Sequence, residues 1–206
     1  MNIENKLHSI KSKLLKLESM DSSYSLFGSE AHCYQLNPIC SEQEVRDFES
    51  RFDIALPNGY RHFLLELGNG GAGPYYGVEK LQDSLFIDLD AKREDELLDP
   101  SKPFTLTDRW NMSSPDAELE SEAFDRYEAV YFDDKWVNGV LNICNFGCGV
   151  SLNLVVNGPE AGNIWVDDRG NDGGIYPDPY FQQIGRTDFL GWYELWLDRS
   201  LLEMGC

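Results

Sequence analysis

Residues 140–167 constrain the fold of this chain more than any other stretch. Residues 140–146 and 150–156 are apolar or alternating runs, and the cluster Asn157-Gly158-Pro159-Glu160-Ala161-Gly162 turns the chain into a third run over 163–167. Runs this short, joined this tightly, specify an antiparallel meander. In the middle run Val150, Leu152, Leu154 and Val156 share one face while Ser151, Asn153 and Val155 share the other, so the predicted sheet is half-buried. An apolar sheet face has to be covered, and the rest of the chain offers helices to cover it.

Ser41 and Glu44 form a capping-box pattern ahead of Val45, Phe48 and Phe52, one buried helical stripe that ends near Asp53. A second helix follows, with Pro57 in its first turn, an apolar face of Tyr60, Phe63, Leu64 and Leu67, and Gly68 as its stop. The two are expected to pack together. Thr187 or Asp188 caps a final helix whose Phe189, Trp192, Tyr193, Trp196, Leu197 and Leu201 make a broad stripe for the sheet. At the other end, Ile3, Leu7, Ile10, Leu14 and Leu17 alternate spacings of four and three, which predicts an amphipathic helix over residues 1–20. Residues 21–206 then form a single domain.

Three segments carry weaker patterns. Residues 21–40 are expected to be a loop with at most one short strand, and residues 78–81 and 85–89 to be short strands. Residues 68–77 are glycine-rich but follow a helix and lack the Lys-Ser/Thr pair of a phosphate loop, so they are assigned to turns. Residues 83–134 hold 16 acidic and 5 basic side chains with Pro100, Pro103 and Pro115, which predicts a solvated, partly irregular insertion with one helix near 116–126.

The charge is extreme, 17 Lys and Arg against 36 Asp and Glu in 206 residues. Such a field repels nucleic acid and anionic membranes and attracts basic surfaces, or serves solubility alone. Lys6, Lys11, Lys13 and Lys16 face only Glu4 and Glu18 in the first helix, so that helix carries +2 and the other 186 residues −21 of the total −19. The helix is therefore suited to dock on its own acidic body or on a partner. Five cysteines, an odd number, and no charged-then-apolar leader predict a reducing, cytoplasmic setting, and no apolar run reaches the roughly 18 residues of a membrane span.

The residues argue against catalysis. His8, His32 and His62 are the available bases, no Cys-His pair has a nucleophile spacing, and His62 sits off the apolar face of its helix. Neither Cys33/Cys40 nor Cys144/Cys148 makes the close ligand pairs of structural zinc, and small core cysteines are the expected role. Counted from Asp168, a calcium loop would need ligands where Gly170 and Pro179 stand. A metal-dependent hydrolase built on the aspartates lacks a coherent ligand motif.

Certain motifs act together: Leu56-Pro57 with Tyr60 and Phe63-Leu64, the exit Asn69-Gly70-Gly71, Gly147-Cys148-Gly149 before a strand, the Asn157-Gly158 turn, and the strand end Trp165-Val166-Asp167-Asp168. In combination they resemble the SUKH superfamily, which joins fungal cell-wall regulators of the SMI/KNR type to bacterial toxin-immunity proteins. The resemblance covers about residues 41–200, with the acidic middle matching loosely. It implies an α+β fold, a curved and mainly antiparallel sheet packed against several helices. It also implies no cofactor and no catalytic residues, and a role in holding another protein: a toxin in the immunity branch, a regulated enzyme in the scaffold branch.

Joined to the charge, this resemblance implies a basic partner, such as a nuclease-type toxin whose phosphate-binding cations an acidic surface would occlude. The expected contacts are Glu160, Asp167, Asp168 and Asp172 near the sheet turns, Asp133 and Asp134 as a second patch, and Trp165 and Tyr176 as aromatic anchors.

Overall fold

Asn2 starts the first helix, α1 (Ile3–Met20), by accepting the Glu4 amide, and the stripe Leu7, Ile10, Leu14 and Leu17 is buried. The structure, a computed structural model, describes residues 2–115, 121–179 and 185–206. Ser41 and Glu44 cap α3 (Glu42–Phe52) reciprocally, as the pattern predicts. Pro57 stands one residue before α4 (Asn58–Glu66), which buries Tyr60, Phe63 and Leu64. Gly68 follows the end of that helix against the Asn37 carbonyl, a gap that a side chain would close. Between α1 and α3 the expected loop contains one helical turn, α2 (Ser29–His32), and a single bridge from Leu36 to Gly71.

The final helix, α6 (Phe189–Glu203), begins at Asp188, whose carboxylate accepts the Gly191 amide over 2.6 Å. Its rings interlock with α4, Phe189 lying 4.8 Å from Tyr60 and 5.1 Å from Phe63 between ring centroids. α1 packs along α6 with its charges matched. Lys13 pairs with Glu194 at 2.8 Å and Asp198 at 2.6 Å, and Ser9 Oγ donates to Glu194 at 2.8 Å. Burial would pull the Lys13 ammonium down, but the hydrogen bonds of Asp198 and Glu194 outweigh it and raise the pKa. The basic helix thus docks on acids of its own chain.

The sheet has strand order β1-β2-β3-β4, all antiparallel: β1 (Val140–Gly147), β2 (Val150–Val155), β3 (Ile164–Asp168) and β4 (Gly174–Pro177). Two register shifts, between Asn142 and Cys144 and between Asn145 and Gly147, bend β1. The α+β architecture and the three-strand meander are as the sequence indicates. The fourth strand is an addition. Asp172 and Gly174, at φ 57° and 79°, fold the chain back so that Gly174 pairs with Asp168, and Gly-Ile-Tyr-Pro is too short to signal a strand by itself.

Register decides what the sheet faces are used for. Leu141, Leu152, Leu154, Ile164 and Val166 belong to the large core shared with the helices, while Val140, Val155, Trp165 and Ile175 point to the opposite side. That side was expected to be solvated, and it is not. Leu98, Phe104 and Val137 form a second core over it, with the Phe104 ring 4.9 Å from Trp165. The insertion over 83–134 is irregular and mostly exposed, as expected, but Leu98 and Phe104 anchor it on this face, which was not expected. The backbone of Trp110 exchanges two 2.8 Å hydrogen bonds with Ile175, which ties the insertion to the edge strand.

The expected short strands before and within the insertion are corrected. Residues 78–81 and 85–89 contribute only isolated bridges, Gly71 with Val78 and Phe86 with Leu97. Their polar backbone is met otherwise, Glu79 N–H by the Ile143 carbonyl at 2.8 Å and the Ile87 carbonyl by the Asn142 amide at 3.1 Å. The predicted helix near 116–126 appears as α5 (Ser121–Tyr131), and residues 116–120 lie outside the described ones. The cysteines are free. Cys40 and Cys144 are buried as expected, Cys33 is partly buried, and Cys148 and Cys206 are exposed, which corrects the core assignment for Cys148.

Candidate functional site

Two turns meet at one end of the sheet. The β1–β2 connection, Gly147-Cys148-Gly149, has φ of 98°, 53° and 73°, a path natural for the glycines and uncommon for Cys148. The β3–β4 connection is a 3-10 turn, Arg169–Asn171, and its Asn171 side chain donates to the Cys148 carbonyl over 2.9 Å. Val150 beside this junction lines two clefts, reached from opposite faces of the sheet.

On the helix face a cleft of about 310 Å³ combines Val150 and Val166 with the aromatic Tyr75, Phe146 and Tyr176 and with Asp168 and Asp178. Tyr176 Oη donates to Asp168 Oδ2 at 3.2 Å, and the Arg109 guanidinium lies 5.0 Å from the Tyr176 ring centroid. Burial first, and then the Asp168 charge, push the Tyr176 phenol up to about 12, so it remains a donor at neutral pH. Asp168 also accepts from Asn171 at 3.0 Å.

An aromatic group extends from this cleft into solvent. Phe27 is 63% exposed, Tyr76 46% and Phe146 39%. Their rings are mutual neighbours, Phe27 to Tyr76 at 5.5 Å, Phe27 to Phe146 at 6.2 Å and Tyr75 to Phe146 at 4.4 Å. Gly28, at φ 75°, stands against the Tyr75 carbonyl where any side chain would overlap the backbone. That close approach lays Phe27 over the Tyr75-Tyr76 pair.

On the insertion face a cleft of about 250 Å³ is lined by Asp88, Asp90, Phe132, Asn145, Asp167 and Arg169, among others. Asp88 accepts the amides of Asp90 and Ala91 at 2.8 and 3.0 Å, and Asp90 accepts the Asn145 amide at 2.7 Å. Asp167 binds Arg169 through both oxygens, at 2.9 and 2.7 Å. Arg169 is 5% exposed, and its remaining nitrogen donates to the carbonyls of Tyr131 at 3.1 Å and Asp133 at 3.3 Å. The guanidinium therefore joins the sheet end to the end of α5.

The eight residues expected to make contacts are dispersed. Asp167 and Asp168 stand on opposite faces of the sheet, as consecutive strand residues must, and only Asp168 lines the aromatic cleft. Trp165 is fully buried, so its assignment as a surface anchor is corrected: its indole serves the second core. Glu160 is held by Arg186 at 2.5 Å and accepts from the Trp165 indole at 3.4 Å. Asp133 caps a 3-10 turn, Asp134–Val137, and pairs with Lys135 at 2.8 Å, while Asp134 and Asp172 are exposed. Tyr176 lines the cleft as a half-buried wall.

Sequence reasoning missed Phe27, Tyr75, Tyr76, Phe146, Phe132, Asp88 and Asp90. A signal was present for some of them: Leu26-Phe27-Gly28 and Pro74-Tyr75-Tyr76-Gly77 put aromatics in turn sequences, where neither helix nor strand can bury them. Among the described residues no group of three or more His, Cys, Asp or Glu is placed to hold a metal ion, and no helix is long and apolar enough to cross a membrane.

A family model described as SMI1 / KNR4 family (SUKH-1) matches residues 39–183. The chain belongs to the SMI1/KNR4 family. Comparison with curated proteins and with solved structures gives no match. The SMI1/KNR4 match takes in α3, α4, the insertion and the whole sheet, and leaves outside it α1 and α6, which pack on each other. Both clefts and the Tyr76–Phe146 aromatics lie in the SMI1/KNR4 portion, whereas Phe27 reaches them from the segment before it.

Proposed function

We propose that the protein is a non-catalytic, cytoplasmic immunity protein that holds a basic partner protein, a toxin of its own locus, and masks the partner's cationic site. The observation that carries this reading is the composition of the sheet end, where exposed Phe27, Tyr76 and Phe146 stand by Asp168 on the helix face and exposed Phe132 stands by Asp88 and Asp90 on the insertion face. Exposed aromatics supply contact area at small entropic cost, and acids around them orient a cationic surface. Membership of the SMI1/KNR4 family supports partner binding in general, and the net charge of −19 supports a basic partner. Of the cations at the site, Arg169 is neutralised by its pairing with Asp167, while Arg109, bonded to the neutral Gly173 carbonyl, keeps its charge and is outnumbered by the acids around it.

The test is co-expression with the toxic product of the neighbouring gene, followed by mixing of the purified proteins. Growth should be restored, a complex should elute, and the association rate should fall at least about tenfold as salt rises from about 50 to about 500 mM. Failure to protect with no complex on mixing refutes the immunity role, and a rate indifferent to salt refutes the electrostatic part.

A further inference from the structure

We propose that the helix-face cleft receives one arginine side chain of the partner protein, stacked among Tyr75, Phe146 and Tyr176 and paired with Asp168. This rests on the reading of the protein as a binder of a basic partner and names where the decisive contact is made. A cleft of about 310 Å³ exceeds what a single side chain needs, so the guanidinium enters with its aliphatic stem against Val150 and Val166. The chemistry suits arginine better than lysine, because a planar guanidinium stacks on rings and presents a fork of donors to a carboxylate. The site already tolerates that geometry: Arg109 lies 5.0 Å from the Tyr176 centroid while its Nη2 is bonded to the Gly173 carbonyl at 3.0 Å. Beside that cation the cleft presents the Asp168 carboxylate, and Asp178 lies in its wall.

Asp168 is aimed and not merely present. Tyr176 Oη and Asn171 Nδ2 fix its two oxygens, and a Cβ at Gly173 would overlap its carboxylate. Replacing Gly173 with Ala is therefore a way to swing the Asp168 carboxylate aside while the net charge stays at −19. An effect of Gly173→Ala separates a positioned carboxylate from a diffuse acidic field.

The experiment is an amide NMR titration of the full chain with Nα-acetyl-arginine amide, with the matching citrulline compound as the neutral isostere. Saturable shifts are expected at Val150, Val166 and Tyr176 with roughly millimolar affinity, absent with citrulline. Asp168→Asn and Gly173→Ala should each weaken binding about tenfold, and Asp134→Asn should not change it. Equal shifts with citrulline, unchanged affinity in both cleft variants that retain a folded spectrum, or shifts scattered over the exposed acids overturn the proposal. The two readings fail separately. A toxin complex that survives Asp168→Asn and Gly173→Ala unweakened removes the arginine site and leaves the immunity role, whereas arginine binding in the cleft without any toxin complex does the reverse.

Discussion

Asp167→Asn should unfold the protein measurably earlier, whereas its neighbour Asp168→Asn should not. Asp167 holds Nε and Nη2 of Arg169, whose side chain is 6% exposed against 16% for Asp167, so the pair is largely removed from water. Removing one partner of a buried pair costs about 3–5 kcal/mol. The Arg169 guanidinium keeps the Tyr131 and Asp133 carbonyls, and Asn retains one acceptor, which places the loss nearer ~2–3 kcal/mol. For a chain of this size that is a melting point lower by roughly 5–10 °C. Circular-dichroism melts and urea titrations of the two single variants read the difference directly. Asp168→Asn should stay within about 1 kcal/mol, since Asn can still meet Tyr176 and Asn171. Equal, small losses for both variants would refute the division of the pair into a structural and a partner-facing residue.

His32 is buried, its Nδ1 accepts the Tyr34 amide at 3.0 Å, and burial lowers its pKa to about 4. The unfolded chain then binds the extra proton first, so stability should be full above pH ~6.5 and fall by about 3 kcal/mol at most as pH drops toward 4, a slope that His32→Gln removes in urea titrations. Trp165→Ala should cost about 3–5 kcal/mol in the same assay through the cavity left beside Phe104, whereas Phe27→Ala, at an exposed ring, should change stability little and weaken binding of the proposed partner.

The helices were legible because their signals are local. Ser41 with Glu44, Pro57 with Gly68, and Asp188 before Phe189 each announce an end within a few residues, and the stripes between them need only periodicity. The meander was legible for the same reason. The insertion was not, because its apolar residues Leu98, Phe104 and Leu106 are scattered among prolines and acids and show no period, yet all reach the same sheet face. The proposed partner surface was half legible. Its acidity is a matter of counting, but which acids face outward depends on distant groups: Arg186 for Glu160, and the carbonyls at the end of α5 that fix Arg169 beside Asp167.

The amino-acid order alone determined the helical stripes, the antiparallel turns, the family resemblance and a strongly negative field, all properties of short windows or of sums over the chain. Tertiary structure alone decided that Trp165 is core, that Asp167 and Asp168 serve opposite faces, and that Phe27 meets Tyr76 and Phe146 beside a cleft. The physical reason is register and long-range closure: a one-residue step in a strand changes the face, and a charge is spent or available according to partners many residues away.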